Sequence, residues 1–257
     1  MKISGVIFDK DGTLMDFNKF WVPAVQGVIR RIFADYGIPE TDIFLEKVLN
    51  SIGVVHGKVL SSGSFAWKPY CDIALDLKPS LESMTDGKII NESELAEKLV
   101  RYFEEASYDD NKVIAPTADL QSVMRLLQSN NIHLGVVTTD TYKATVECLK
   151  RLQIEQYITF LAADLMPYAE NSEPMPLKPD GRIISRAVKQ WSIKPEEVLV
   201  VGDAPNDMKF AHNGGSVAVG VLSGGSSKEQ LQPSADYILD SVSEIPDLIC
   251  KLGQEGR

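Results

Sequence analysis

Val6-Ile7-Phe8-Asp9-Lys10-Asp11-Gly12-Thr13-Leu14 is the stretch on which the reading of this chain turns. An apolar run, Val6 to Phe8, stops at two acids one residue apart, and a glycine and a threonine follow. A short apolar run bounded by turn residues reads as a buried strand, which places both acids at the strand's carboxyl end. In open α/β sheets, ligands bind along that edge. Gly12 can adopt positive φ, so the chain can leave the sheet sharply. Asp9 is then placed as a nucleophile or metal ligand, with Asp11 just past it in the loop. A plainer reading, a strand capped by a polar turn with Thr13 or Asp16 opening a helix, has to be weighed against the rest of the chain.

Beyond Leu14 the pattern becomes helical and stays so for about a hundred residues. Val25, Val28, Ile29, Ile32, Phe33 and Tyr36 recur at helical spacing, and Gly37 with Pro39 supplies the stop. A second helix is expected over Asp42 to Asn50, and a third from Pro69 to Leu77. Between them lies a looser Gly- and Ser-rich segment carrying His56, Lys58 and Lys68. Asn91 with Glu94 three residues on resembles a capping box that opens a helix through Leu95, Leu99, Tyr102 and Phe103.

From Ala115 strands and helices alternate. Pro116 is expected to start a helix carrying Val123, Leu126 and Leu127. Ile132 to Thr139 reads as a strand, Tyr142 to Leu152 as a helix, and Tyr157 to Ala162 as a short strand. A polar loop from Asp164 to Pro179 precedes a helix with Ile183, Ile184, Ala187, Val188 and Trp191 on one side. Strands at Val198 to Val201, Val217 to Val221 and Tyr237 to Leu239 follow, with helices near Asn206 to His212 and through Ile245 and Leu252. This alternation implies a parallel sheet with helices on both faces. The helical block from about residue 15 to 114 interrupts it after the first strand and reads as a separate cap.

The 257 residues leave room for such a core with an insert. A net charge of −10 argues against a general nucleic-acid binder, which needs a basic face. It permits an anionic substrate, because a bound metal reverses the local sign. Cys71, Cys148 and Cys250 are widely spaced and odd in number, which fits reduced thiols inside a cell, and no CxxC pair suggests zinc. The first residues lack the charged-then-apolar pattern of a signal peptide, and no apolar run is long enough for a membrane span. A soluble, cytoplasmic protein is expected.

Three more clusters fall at strand ends. Thr138, Thr139 and Asp140 close one strand, where Thr138 can meet an anion at the next helix's N-terminus, while Thr139 or Asp140 can equally be that helix's cap. Leu177-Lys178-Pro179-Asp180-Gly181 is a turn, and its lysine is either solvated or balances a site rich in carboxylates. Val200-Val201-Gly202-Asp203-Ala204-Pro205-Asn206-Asp207 repeats the opening pattern, with a second acid four residues on. Asp9, Asp11, Asp203 and Asp207 at the ends of two strands repel one another unless a cation joins them, and hard oxygen ligands suit Mg²⁺.

In this order, Asp9-Lys10-Asp11-Gly12-Thr13, Thr138, Lys178, and Gly202-Asp203 with Asp207 resemble the four motifs of the haloacid dehalogenase superfamily. The chain looks most like its phosphoglycolate-phosphatase-like branch with an α-helical cap. The resemblance implies an α/β, Rossmann-like core over residues 1–14 and 115–257 and a cap over 15–114. It implies that Asp9 attacks phosphorus and that Asp11 protonates the leaving oxygen, then deprotonates water. Mg²⁺ is expected on the Asp9 carboxylate, the Asp11 main-chain carbonyl and Asp203, with Asp207 orienting Lys178 or a metal-bound water. Thr138 and Lys178 are expected to hold phosphoryl oxygens, with Gly12, Thr13, Thr139 and Asn206 at the substrate.

Thr139 stands where relatives commonly carry asparagine. Dehalogenases lack an acid at position 11, and ion-pumping ATPases carry threonine there after the same lysine. Asp11 therefore favours a phosphatase acting on a small phosphorylated metabolite, as a monomer or homodimer. The alternatives are a phosphomutase of the same superfamily and a catalytically idle binding or regulatory member. His56, Lys58 and Lys68 are candidates for a second anionic group of the substrate, against the plainer reading of surface residues.

Overall fold

The computed structural model describes residues 1–60, 62–66, 68, 70–85, 87–107, 114–164 and 175–255. The chain divides into two compact units, Met1–Asp16 with Ile114–Arg257, and Phe17–Val113. The first break falls two residues later than the sequence suggests. Met15 bridges to Pro116, and the Asp16 amide donates to the Ala115 carbonyl (2.8 Å), which ties both residues to the sheet-bearing unit.

β1 (Gly5–Phe8) is buried at every position. The chain then enters the helical unit. Here α1 (Phe17–Tyr36), α2 (Asp42–Ser51), α3 (Tyr70–Glu82) and α4 (Glu92–Ser107) pack against one another. Their apolar faces meet around an aromatic group in which Tyr70 stacks on Phe103 at 4.4 Å between ring centres and Phe65 and Trp21 pack alongside. Asn91 caps α4 as expected, its Oδ1 accepting from the Glu94 amide (3.1 Å).

Two expectations in this unit need correction. The segment after α2 is not simply loose, because β2 (Val54–Val55) and β3 (Lys58–Val59) form an antiparallel hairpin and Ser64–Ala66 a 3₁₀ turn. Both central residues of the hairpin turn, His56 (φ 48°) and Gly57 (φ 74°), have positive φ, which suits the twist of paired strands. The third helix runs on past Leu77 to Glu82 with Pro79 inside it, because Leu77 and Leu81 are both buried one turn apart. Its expected first residue, Pro69, lies outside the described residues.

Back in the sheet unit, α5 (Leu120–Ser129) begins four residues after Pro116, where the Asp119 carboxylate accepts from the Ser122 amide (3.2 Å). Of the apolar residues expected on this helix, Val123 and Leu127 are buried and Leu126 is exposed. β4 (His133–Thr141) continues two residues beyond the expected end, with an irregular register after Val137. Then come α6 (Tyr142–Arg151), β5 (Phe160–Asp164), α7 (Arg182–Trp191), β6 (Val198–Gly202) and α8 (Pro205–Asn213). β7 (Val217–Val221), a short α9 (Lys228–Leu231), β8 (Tyr237–Leu239) and α10 (Ile245–Glu255) close the unit. Tyr157, expected in the fifth strand, sits in a 3₁₀ turn before it. Much of the loop expected from Asp164 to Pro179, residues 165–174, lies outside the described residues.

Among the described residues six strands form one sheet in the order β5-β4-β1-β6-β7-β8, with all pairs parallel. β1 is central and flanked on both sides, which is why its sequence is an unbroken apolar run rather than an alternation. Ile7, Val137, Val198, Val200 and Ala218 point to one face, where they pack with Ile183, Ile184, Ala187 and Trp191 of α7 and Met208, Phe210 and Ala211 of α8. Strand neighbours of opposite parity are buried as well, and α5 and α6 pack on β4. The register pairs Phe8 with Val136 of β4 and Val201 of β6. Asp9 therefore leaves the sheet level with Val137 and Gly202, with Thr138 and Asp203 one step beyond. The order turns about β1, and this is the edge where an α/β sheet opens a crevice.

Candidate active site

Asp9 is fixed first by its backbone, whose amide donates to the Val201 carbonyl (2.8 Å) and extends the pairing of β1 with β6. Its Oδ1 accepts from Lys178 Nζ at 2.5 Å, and the same ammonium donates to Asp207 Oδ1 at 2.8 Å. Lys178 comes from the loop before α7, and Asn213 Nδ2 holds that loop through the Pro179 carbonyl (2.8 Å). Asp207 lies in the first turn of α8, and its Oδ2 accepts from the Ala204 amide (3.1 Å). One carboxylate thus caps a helix and aims a lysine.

Asp203 follows β6 directly, and its Oδ2 accepts from the Gly225 amide (2.8 Å). Asp9, Asp203 and Asp207 each offer an oxygen to one cluster, all within 4.8 Å of one another. Burial, with Asp207 and Asp11 adding to it against the pull of Lys178, pushes the Asp9 carboxyl up to about 7. Burial raises Asp203 well above the usual carboxylate range, helped by Asp9 and Asp207. Burial works against the charge on Lys178, yet Asp207 and Asp9 outweigh it and hold the ammonium above its ordinary value. Three carboxylates around one ammonium leave an excess of negative charge. Hard oxygen donors crowded in this way fit a divalent cation such as Mg²⁺.

Asp11 sits apart from that cluster. Its Oδ2 pairs with Lys10 Nζ at 2.6 Å, and Lys10 pairs in turn with Asp140 Oδ2 at 3.1 Å. Thr138 is buried, and its Oγ1 accepts from the Asp140 amide (3.1 Å). Neither Thr139 nor Asp140 caps α6; Thr141 does, accepting from the Ala144 amide, because β4 runs on to that residue. Thr139 and Asn206 are exposed at this edge. Thr13 is not on the surface: it is fully buried, its hydroxyl has no hydrogen-bond partner, and its carbonyl accepts from Thr117 Oγ1 (2.6 Å). The hydroxyl is enclosed in the interior.

Gly12 has φ +81°, and a side chain there would run into the Asp203 carboxylate. A side chain at Gly224, in the loop after β7, would run into the same carboxylate more closely still. Ser223 Oγ donates to the Gly12 carbonyl (2.8 Å) and joins the two loops. The run Ser223-Gly224-Gly225 is therefore part of the site, although sequence reasoning gave it no role. A glycine pair just after the buried strand Val217–Val221 was the available signal. In the helical unit, Lys68 spends its charge on Asp76 (2.8 and 3.0 Å), and His56 and Lys58 are exposed beside the hairpin turn.

Residues 3–215 match the family model described as haloacid dehalogenase-like hydrolase. The chain is 24% identical over 213 residues to a phosphorylated carbohydrates phosphatase of Thermotoga maritima, covering 83% of this chain and 82% of that protein. It is also 24% identical over 255 residues to pyrophosphatase PpaX of Bacillus mycoides, covering 98% and 99%. A crystal structure of a predicted phosphoglycolate phosphatase from Haemophilus somnus 129PT shares the fold, with a TM-score of 0.68 at 18% identity over 96% of this chain and 98% of that one. No helix among the described residues is long and apolar enough to cross a membrane.

Proposed function

The chain belongs to the haloacid dehalogenase-like hydrolases, and on that footing we propose that it is a Mg²⁺-dependent phosphatase, hydrolysing a small phosphorylated metabolite by way of a phosphoryl group carried on Asp9. The observation that carries this reading is the Lys178 ammonium, which spans Asp9 and Asp207 while Asp203 completes a cluster of three carboxylates. The phosphatase and pyrophosphatase relatives support the same chemistry.

The reaction runs in two displacements. The Asp9 carboxylate attacks phosphorus in line with the ester oxygen; the P–O ester bond breaks as the bond to Asp9 forms, and Asp11 gives its proton to the leaving oxygen. Asp11, now ionised, takes a proton from water as the water oxygen attacks phosphorus. The Asp9–phosphorus bond breaks and inorganic phosphate leaves. Splitting one displacement into two easier ones is the gain of covalent catalysis. Lys178 and Thr138 hold the phosphoryl oxygens, and Asp207 keeps Lys178 aimed.

The carboxylates of Asp9 and Asp203 and the main-chain carbonyl of Asp11 would hold Mg²⁺, with Asp207 behind them. Bound there, the ion would neutralise charge on the phosphoryl oxygens and favour ionised Asp9. Thr139 and Asn206 remain candidates for the substrate, whereas Gly12 serves Asp203. The helical unit is assigned the role of cap, with the choice of ester residing there.

Phosphate release from a panel of phosphorylated metabolites, with and without Mg²⁺, tests the proposal against Asp9→Asn. Metal-dependent release that the substitution abolishes is the expected result. No release from any ester by folded, Mg²⁺-binding protein would overturn it, and bisphosphate-activated isomerisation without net release would point to a mutase.

A further inference from the structure

Lys10 is the most deeply buried charged side chain near the site, and the two displacements above leave it unused. Its side chain is 3% exposed and its ammonium packs against sulfur: Met15 Sδ lies 3.8 Å away, and Cys148 Sγ contacts that same sulfur at 3.6 Å. Water does not screen a charge in such a niche, so its direction is set by the carboxylates it meets. These are Asp11 Oδ2 at 2.6 Å and Asp140 Oδ2 at 3.1 Å.

Asp140 is itself held. Its other oxygen accepts from the Thr141 amide (2.7 Å), and its own amide donates to Thr138 Oγ1 (3.1 Å). The Lys10 backbone is held too, its carbonyl accepting from the amides of Leu14 (2.9 Å) and Met15 (3.1 Å). A rigid chain of contacts therefore runs from the end of β4 through Asp140 and Lys10 to the carboxylate of Asp11. It begins beside Thr138, on the strand end assigned to the phosphoryl group.

We propose that Lys10 and Asp140 are positioning residues for the reaction: Asp140 anchors the Lys10 ammonium, and the ammonium orients the Asp11 carboxylate for its proton transfers. The proposal rests on the acid–base role assigned to Asp11 above. A buried lysine reaches only a short distance around its anchor, so it limits the arc through which Asp11 can swing. Misplacing a proton-transfer group by about 1 Å costs on the order of 100-fold in rate. Loss of Lys10 should therefore slow the chemistry without weakening substrate binding.

The test uses p-nitrophenyl phosphate, whose leaving group needs no proton, and compares Lys10→Met, Asp140→Asn and Asp11→Asn in the full chain. Rapid mixing reads the first burst of p-nitrophenol, which reports phosphorylation of Asp9, separately from steady turnover, which requires water activation by Asp11. Lys10→Met is expected to keep the burst rate and kcat/KM within about threefold while kcat falls about 10- to 100-fold and KM falls with it, a part of the roughly 100- to 10,000-fold that positioned acid–base catalysis contributes. Asp140→Asn should show the same pattern with a smaller loss, about 3- to 10-fold, because the ammonium stays but its anchor weakens.

Lys10→Met with wild-type kcat, or with burst and turnover lost together, would overturn the proposal. Should that variant fail to fold, Asp140→Asn decides by the same criteria. Asp11→Asn serves as the reference. If it too turns over like wild type, the role given to Asp11 has failed; if it stalls after the burst while Lys10→Met does not, only the positioning claim has failed.

Discussion

Two buried lysines flank the end of β1, each set between two carboxylates, and they serve opposite ends. Lys178 (5% exposed) lies between Asp9 and Asp207; Lys10 (3% exposed) lies between Asp11 and Asp140. The first cluster gains a third acid, Asp203, and burial together with the crowding of acids drives both Asp9 and Asp203 above the usual carboxylate range. The second is backed by the sulfurs of Met15 and Cys148. An excess of hard oxygen around one ammonium suits a cation and fits the phosphoryl transfer proposed above. A lysine shared by two acids against an apolar wall makes a fixed brace.

Substitutions in the Lys178 cluster should therefore cost activity far more than those around Lys10. Asp9→Asn, which removes the attacking oxygen, is expected to lower kcat by at least about 1,000-fold, read as phosphate release at saturating Mg²⁺. Lys178→Met should cost about 100- to 1,000-fold, because a donor aimed at the transferring group is lost and Asp9 and Asp207 are left facing each other. A loss under tenfold for Lys178→Met would erase the distinction between the two lysines.

Much of the Lys178 cluster is legible in the sequence, and the Lys10 cluster hardly at all. Asp9 and Asp203 are visible because each ends a buried apolar run, and a parallel sheet aligns such ends. Asp207 is visible from its spacing to Asp203. Its bond to Lys178 comes only through the resemblance and not from local spacing, because 29 residues separate the two and the loop before α7 has to fold back onto α8 to join them. Lys10 is quoted within the opening motif but given no role there, since nothing local reveals that Met15 and Cys148 will enclose it. Thr13 misleads for the same reason in reverse, a hydroxyl in a catalytic-looking loop that turns inward. Gly224 and Gly225 escape notice because a glycine pair after a strand reads as a turn, whereas here it marks a backbone pressed against Asp203.

That last contact sharpens the comparison at a smaller scale. Gly224→Ala should push the Asp203 carboxylate aside and weaken divalent-ion binding about 10-fold, as loss of the groups that orient a metal ligand generally does, measured by Mn²⁺ titration. The sheet and its stability to heat should change far less than the affinity.

The smallest expected effect is on stability against pH. In the metal-free protein Asp9 keeps its proton up to about pH 7, whereas in the unfolded chain it loses it near its ordinary value of 3.8. Between those limits the folded state binds more protons, so stability falls as pH rises through the window. Asp203 acts in the same direction. Lys178, held above its ordinary value, contributes stability that fades only in strongly alkaline solution. Thermal melts without metal should therefore drop between about pH 4 and 7, Asp9→Asn should flatten the slope, and Mg²⁺ should raise the melting temperature more at pH 8 than at pH 5.

The central claim is that Asp9 carries the phosphoryl group, and acid-quenched mass spectrometry tests it most directly. The protein is mixed with Mg²⁺ and p-nitrophenyl phosphate, using Asp11→Asn to slow the second displacement, and then digested. One added phosphoryl group on the peptide containing Asp9, absent without Mg²⁺ and absent in Asp9→Asn, is the predicted result. A phosphoryl group on another residue, or phosphate release that persists in Asp9→Asn, would contradict the account.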